Sequence, residues 1–175
     1  QDKRLCDIAI EKGKSVILCM NKMDLLKGKF ETEKERKEWI QDLYDEVPWL
    51  TYCELKTISA REGNSIKSLK RSIKNTILLR HTKFSTGRIN RVVSDLMDRK
   101  QVYVKGAKGG RFKVRYASQV SSGPPTFLLF CNKSKNIPDN YRRYLQNGLR
   151  REFKLTNTPV HLLFRSGNDL KVKMS

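Results

Sequence analysis

Residues 16–24 read Val16-Ile17-Leu18-Cys19-Met20-Asn21-Lys22-Met23-Asp24. The first five form a short continuous apolar run, the pattern of a strand buried on both faces of a parallel sheet. Upstream, Leu5, Ile8 and Ala9 mark one side of a helix that ends at Gly13, a suitable C-cap. Downstream, a polar helix is predicted over residues 31–47, with Trp39, Ile40, Leu43, Tyr44 and Val47 at helical spacing and Pro48 as its stop. Residues 51–58 read as a second strand. Glu62-Gly63-Asn64 then turns into a helix carrying Ile66, Leu69, Ile73 and Ile77. Helix, strand, helix, strand, helix is the order of α/β crossover units, so residues 1–80 are expected to form an α/β domain on a parallel sheet.

Arg80–Phe84 is polar and unpatterned and marks a boundary. Ser85 is placed to cap the next helix, whose stripe is Ile89, Val92, Val93, Leu96 and Met97. Arg111–Tyr116 alternates, with Phe112, Val114 and Tyr116 on one face and Arg111, Lys113 and Arg115 on the other. After Gly123-Pro124-Pro125, Phe127–Cys131 reads as a strand. Asp139 is placed to cap a helix with Tyr141, Leu145, Gly148, Leu149 and Phe153 inward and Arg142, Arg143, Arg150 and Arg151 outward. Val160–Phe164 reads as the closing strand. Residues 81–175 therefore read α-β-β-α-β, an α+β domain with helices on one side of a small sheet.

Of 175 residues, 37 are Lys or Arg and 18 Asp or Glu, a net charge of +19. The imbalance is uneven: residues 1–80 hold 17 basic and 13 acidic residues, and residues 81–175 hold 20 and 5. The polyanion-attracting surface thus belongs to the second half, and phosphate backbones are its expected partner. A merely solvated surface is the alternative. No apolar run reaches the ~20 residues of a membrane span, and the charged opening residues carry no secretory core, so a soluble cytoplasmic protein is expected. Cys6, Cys19, Cys53 and Cys131 form no C-x-x-C pair and His81 and His161 stand near none of them, which argues for buried free thiols over a zinc site.

Asn21-Lys22-Met23-Asp24 matches N-K-x-D, a signature of GTP-binding proteins, at the carboxyl end of a strand where such sheets bind ligands. Guanine offers two adjacent donors, and one carboxylate accepts from both. Adenine presents an acceptor at the ring position, so Asp24 would select guanine, with Lys22 laid over the base and Asn21 tying the loop. Ile58-Ser59-Ala60 ends the next strand and resembles the S-A-x loop, whose Ala60 N–H would meet the guanine carbonyl. A plain helix-entry loop is the alternative for the first motif alone. The sequence contains no G-x-x-x-x-G-K-[ST] and no switch D-x-x-G, so nothing here cradles phosphates or places a Mg²⁺-binding hydroxyl.

These motifs resemble the Der (EngA) GTPase family along essentially the whole chain. Gln1-Asp2-Lys3-Arg4, Gly13-Lys14, Asn21-Lys22-Met23-Asp24-Leu25 and Ile58-Ser59-Ala60 with Gly63 are similar to the back half of its second, P-loop-type GTPase domain. Arg88-Ile89-Asn90-Arg91, Lys113-Val114-Arg115-Tyr116-Ala117, Gly123-Pro124-Pro125, Ile137-Pro138-Asp139 with Tyr141-Arg142-Arg143-Tyr144-Leu145, and Thr158-Pro159-Val160 resemble its KH-like domain. The resemblance implies GTP or GDP as ligand, Mg²⁺ only in the complete protein, and a role in assembly of the large ribosomal subunit with ribosomal RNA contact. It implies guanine binding by Asn21, Lys22, Asp24, Ser59 and Ala60. It also implies that the first GTPase domain and the front of the second are missing partners, and that this stretch alone hydrolyses no GTP.

Gly106-Ala107-Lys108-Gly109 fits the G-x-x-G clamp of ordinary KH domains, but it precedes a strand where the clamp joins two helices. The RNA candidates are therefore Arg111, Lys113, Arg115, Arg142, Arg143, Arg150 and Arg151. The competing function is a free-standing RNA-binding module whose GTPase-like half is only a scaffold. Membrane-surface binding is disfavoured because the basic helices lack a bulky apolar face, and no DNA partner is expected. With its flanking strands absent, the first half is expected to expose apolar surface or to be completed by another polypeptide.

Overall fold

The computed structural model describes residues 2–46, 53–104 and 110–167. The protein is a mixed helix/sheet chain with small sheets, divided into two compact units. The first comprises Gln1–Leu79 with Thr156–Thr158, the second Arg80–Leu155 with Pro159–Ser175.

In the first unit, helix α1 (Asp2–Glu11) is closed by Gly13 at φ 68°. Lys14 N–H reaches Ala9 O (2.8 Å) and Gly13 N–H reaches Ile10 O (2.9 Å), the Schellman pattern that a left-handed glycine permits. Strand β1 (Leu18–Met20) pairs in parallel with β2 (Leu55–Thr57), in register from Leu18↔Leu55 to Met20↔Thr57. Helix α2 (Glu33–Glu46) connects them. Thr32 Oγ1 accepts from Glu35 N–H (3.2 Å) while Glu35 Oε2 accepts from Glu31 N–H (2.9 Å), a reciprocal capping arrangement. Helix α3 (Ile66–Arg80) follows β2.

Two expectations are corrected here. The apolar run does not yield a strand buried on both faces: β1 starts at Leu18 and Cys19 is exposed. Among the described residues β2 is its one ladder neighbour, so one strand edge and part of its face stay uncovered. The Ile73–Ile77 stripe of α3 is not the buried one either. Ile73 is 44% and Ile77 54% exposed, whereas Ser72 and Thr76 are buried. The reason is a polar seam. Asn157, buried and left-handed at φ 61°, accepts the Glu54 N–H on Oδ1 (2.6 Å). Its Nδ2 donates to Glu54 Oε2 (3.1 Å) and Thr76 Oγ1 (3.0 Å). Its carbonyl accepts the Val16 N–H (2.9 Å), and Ser72 bonds the Glu54 carboxylate. Hydrogen-bond satisfaction at this loop therefore sets the orientation of α3, because buried polar groups left unpaired are costly. Leu5, Ile8, Leu25 and Leu78 are also exposed, so the first unit does present apolar surface.

The second unit runs α4 (Thr86–Arg99), β3 (Tyr103–Val104), β4 (Gly110–Arg111), β5 (Val114–Ser122), β6 (Pro125–Cys131), α5 (Asp139–Glu152) and β7 (His161–Arg165). Strands β5, β6 and β7 form one sheet in that order, β5–β6 antiparallel and β6–β7 parallel; β3 and β4 pair separately. The α4 stripe behaves as its periodicity requires, with Ile89, Val93, Leu96 and Met97 buried. Tyr141, Leu145 and Leu149 of α5 complete the core with Phe112, Phe127 and Leu129. The helices meet at Gly148, where an added Cβ would lie 2.5 Å from Leu96 Cδ2.

Three local readings change. Arg111–Tyr116 is not one alternating strand: Arg111 belongs to β4, β5 begins at Val114, and the register shifts between Val114 and Tyr116. Such a bulge sets two residues against one and breaks alternation, leaving Phe112 fully buried and Tyr116 exposed. Pro138, not Asp139, occupies the N-cap of α5; Asp139 is the first helical residue, where its carboxylate still favours the helix dipole. Ser85 holds the α4 N-cap position without a side-chain cap bond. Of the four free thiols, Cys53 and Cys131 are buried, Cys6 is half-buried and Cys19 exposed. The G-x-x-G run Gly106–Gly109 lies outside the described residues. No helix among the described residues is long and apolar enough to cross a membrane.

Candidate nucleotide and nucleic-acid sites

Parallel pairing of β1 and β2 brings their carboxyl ends side by side, and the loops leaving them are bolted together. Ile58 N–H donates to Met20 O (2.8 Å) and Met23 N–H to Ile58 O (3.1 Å). Ser59 Oγ donates to Asp24 Oδ1 (2.5 Å), and Ala60 N–H donates to Asn21 Oδ1 (3.0 Å), which also accepts Lys22 N–H (2.8 Å). Lys22 is held at φ 65°, a left-handed conformation uncommon for a lysine and concentrated at functional turns. The structure thus brings Asn21, Asp24, Ser59 and Ala60 into one hydrogen-bonded cluster with Lys22 on its rim.

The Ser59 hydroxyl, helped by the nearby Arg61 and Lys27 charges, holds the Asp24 carboxyl below its ordinary value against a smaller opposing effect of desolvation. Asp24 is therefore a carboxylate at neutral pH and acts as an acceptor only. A cavity of about 380 Å³ opens beside it, lined by Asp24, Ser59, Thr57, Arg36 and Phe30 among others; Asn21, Lys22 and Ala60 are not part of that wall.

Sequence reasoning missed a second brace. Lys27 Nζ pairs with Glu62 Oε1 (2.6 Å), and Glu62 Oε2 accepts from Asn64 Nδ2 (2.8 Å). Lys27 and Glu62 are 35 residues apart, the same separation as Asp24 and Ser59. That shared spacing is the one trace of the brace in the sequence, one helical turn on from the Asp24–Ser59 pair in both loops.

The seven cations of the second unit are not equivalent. Lys113, Arg115, Arg143 and Arg151 are exposed. Arg111 is half-buried and pairs with Asp98 (3.6 Å). Arg142 donates to Ile137 O (3.3 Å) and lies 5.3 Å from the Phe164 ring, and Arg150 bonds Asn147 Oδ1 (2.9 Å). The expectation that all seven stand exposed is thereby corrected for Arg111, Arg142 and Arg150, because amphipathic side chains lay their stems on apolar neighbours. Arg111, Lys113 and Arg115 share one groove with α4, and Arg142 and Arg143 share another with β7. No group of three potential metal ligands occurs among the described residues.

A family model described as the KH-domain-like region of EngA bacterial GTPase enzymes, C-terminal, matches residues 83–165. The GTPase Der of a Jannaschia species is 33% identical over 170 residues, covering 97% of this chain and 34% of that protein. GTPase Der of Cereibacter sphaeroides is 35% identical over 170 residues, with the same coverage of 97% and 34%. GTPase Der of Natranaerobius thermophilus is 34% identical over 168 residues, covering 94% of this chain and 36% of its own. The chain therefore spans about a third of the length of the curated relatives it matches. With similarity running through both units and the KH-like match confined to the second, the chain belongs to the Der (EngA) GTPase family.

Proposed function

We propose that this chain recognises the guanine base of GTP or GDP through its first unit and contacts ribosomal RNA through its second, in assembly of the large ribosomal subunit in the cytoplasm. One observation carries the guanine reading: a carboxylate and a backbone N–H are presented together by cross-bonded loops at the carboxyl ends of two adjacent parallel strands. Asp24 accepts from the ring N–H and exocyclic amine of guanine. Ser59 holds that carboxylate ionised and aimed. Lys22 covers the base, and the guanine carbonyl competes with Asn21 Oδ1 for the Ala60 N–H. Adenine would set its ring acceptor against the Asp24 carboxylate, so the site rejects it by repulsion and by an unpaired donor set.

Phosphate binding, Mg²⁺ and hydrolysis draw on motifs that these 175 residues do not contain, so base recognition is the part of the chemistry assigned to them. The RNA reading is supported by the KH-like match and by the surplus of 20 basic over 5 acidic residues in positions 81–175. Saturation-transfer NMR on the chain with guanosine and adenosine tests the first part. Guanosine signals should appear, adenosine signals should not, and Asp24→Ala should abolish both the signal and the preference. Equal responses to the two nucleosides would refute base selection by Asp24.

A further inference from the structure

Between α4 and the start of β5 runs a groove of about 480 Å³. The buried Val93 and Met97 and the half-buried Val114 line its depth, and the exposed Ser94, Lys113 and Arg115 line its mouth. Arg111 and Asp98 also border it, paired with each other at 3.6 Å. Among the described residues no carboxylate lies within ion-pair distance of Lys113 or Arg115. On α5, Arg142 and Arg150 are committed to intramolecular bonds, and the exposed Arg143 and Arg151 are set apart from this groove.

The backbone along the groove indicates what kind of ligand fits. β5 is an edge strand, yet beside the groove its Val114 and Ala117 groups are already engaged. Asn90 Oδ1 accepts the Ala117 N–H (2.8 Å), Asn90 Nδ2 donates to the Ala117 carbonyl (2.9 Å), and the Val114 N–H points at Met97 Sδ (3.3 Å). An extended peptide adding as a further strand would find the Val114 and Ala117 groups beside the groove already engaged. A ligand held by side chains alone fits instead. Lys113 and Arg115 flank Val114 at the start of β5, both exposed at the mouth of the groove, where their charges can meet neighbouring phosphates. The apolar depth suits an unstacked base, which a duplex does not present.

We propose that the α4–β5 groove is the RNA-contact groove of the second unit, with two successive phosphates of single-stranded RNA on Lys113 and Arg115 and a base against Met97 and Val114. The proposal rests on the RNA reading above and assigns it a location. Fluorescence anisotropy of the full chain with labelled oligouridylate, between about 50 and 200 mM salt, tests it. K113E/R115E should weaken binding at least tenfold and flatten the log–log salt slope by about 1.4, two phosphates at ~0.7 each for a single strand. R143E/R151E should change affinity by less than about threefold, since those cations lie off the groove. K113R/R115K, which keeps both charges, should bind as the parent does, and its agreement in near-ultraviolet dichroism with K113E/R115E excludes misfolding as the cause of loss. If R143E/R151E abolishes binding while K113E/R115E does not, the groove is wrong and the RNA reading stands. If the parent binds no RNA, both fall. If polyglutamate displaces the RNA at equal charge concentration and binds as tightly, the RNA assignment of the groove is overturned.

Discussion

Asn157→Ala should unfold the first unit preferentially. The substitution deletes three side-chain hydrogen bonds, to Glu54 N–H, Glu54 Oε2 and Thr76 Oγ1. Each neutral bond is worth about 1 kcal/mol net, and the one to an ionised carboxylate about 1.5 kcal/mol at the low end of its range. The low end applies because the Glu54 side chain is 35% exposed. The half-buried Glu54 N–H also loses its partner, which moves the sum toward the upper end. Alanine at φ 61° adds about 1 kcal/mol of left-handed strain that asparagine tolerates. The total is about 4–5 kcal/mol, against the roughly 4–12 kcal/mol expected of a unit of about 80 residues. Trp39 and Trp49 are the chain's two tryptophans and both lie in residues 1–79, so their fluorescence follows the first unit through a urea titration. Asn157→Gly isolates the backbone part: it loses the same bonds without the strain and should be about 1 kcal/mol less destabilised. A loss under about 1 kcal/mol for Asn157→Ala, or a larger loss for glycine than for alanine, would refute the polar-seam account.

Gly148→Ala should lower the melting temperature of the second unit. The gain of about 1 kcal/mol in helix propensity is outweighed because the new Cβ meets Leu96 Cδ2 at 2.5 Å and Cδ1 at 2.7 Å in a fully buried position, an overpacking that costs about 1–3 kcal/mol; calorimetry reads the sign. Asp24→Asn should move base preference from guanosine toward xanthosine, whose second carbonyl accepts from the new amide, and a nucleoside competition assay shows whether it does. Burial raises the Glu54 carboxyl, but the Asn157 and Ser72 bonds and the Lys56 charge outweigh it and hold it below 4.5. Its stabilising contribution is therefore complete above about pH 4.5 and declines as pH falls through the lowered value, a decline that Asn157→Ala should shrink in urea midpoints taken along an acid series. Burial, reinforced by Tyr144, pushes the Tyr141 hydroxyl up to about 12, and that group donates to Lys100 O (2.9 Å). Because the folded state holds this proton longer, its stabilisation is present below about pH 10 and disappears toward 12; phenolate absorbance in the parent and Tyr141→Phe measures it.

The second unit was more legible than the first, for a physical reason. Ile89, Val93, Leu96 and Met97 on α4, and Tyr141, Leu145 and Leu149 on α5, are buried as their 3.6-residue period requires, because each helix packs one apolar face on the unit's core. Ile73 and Ile77 carry the same period on α3 and are exposed, because the buried side of that helix answers to Ser72, Thr76 and the Asn157 loop. Periodicity reports a helix's amphipathic face and is silent on which face a polar partner claims. The alternation at Arg111–Tyr116 failed for a similar reason: Asn132, 19 residues from Lys113, takes the Lys113 N–H on Oδ1 (2.9 Å) and donates to the Arg111 carbonyl (2.9 Å), so the 111–113 stretch answers to a distant side chain and not to its own alternation.

The Asn21–Asp24 and Ser59–Ala60 motifs, their placement after two strands and the charge surplus of the second half are properties of residue type and order, and the amino-acid string suffices to state them. The cross-bonding of Asp24 to Ser59 and Asn21 to Ala60, the Lys27–Glu62 brace and the seating of Asn157 among Glu54 and Thr76 come only from the folded chain. So does the sorting of seven similar cations into the exposed Lys113, Arg115, Arg143 and Arg151 and the committed Arg111, Arg142 and Arg150. Local pattern encodes what each segment prefers by itself. Which donor meets which acceptor depends on distances between segments tens of residues apart, and those are set when the strands pair and the helices close over them.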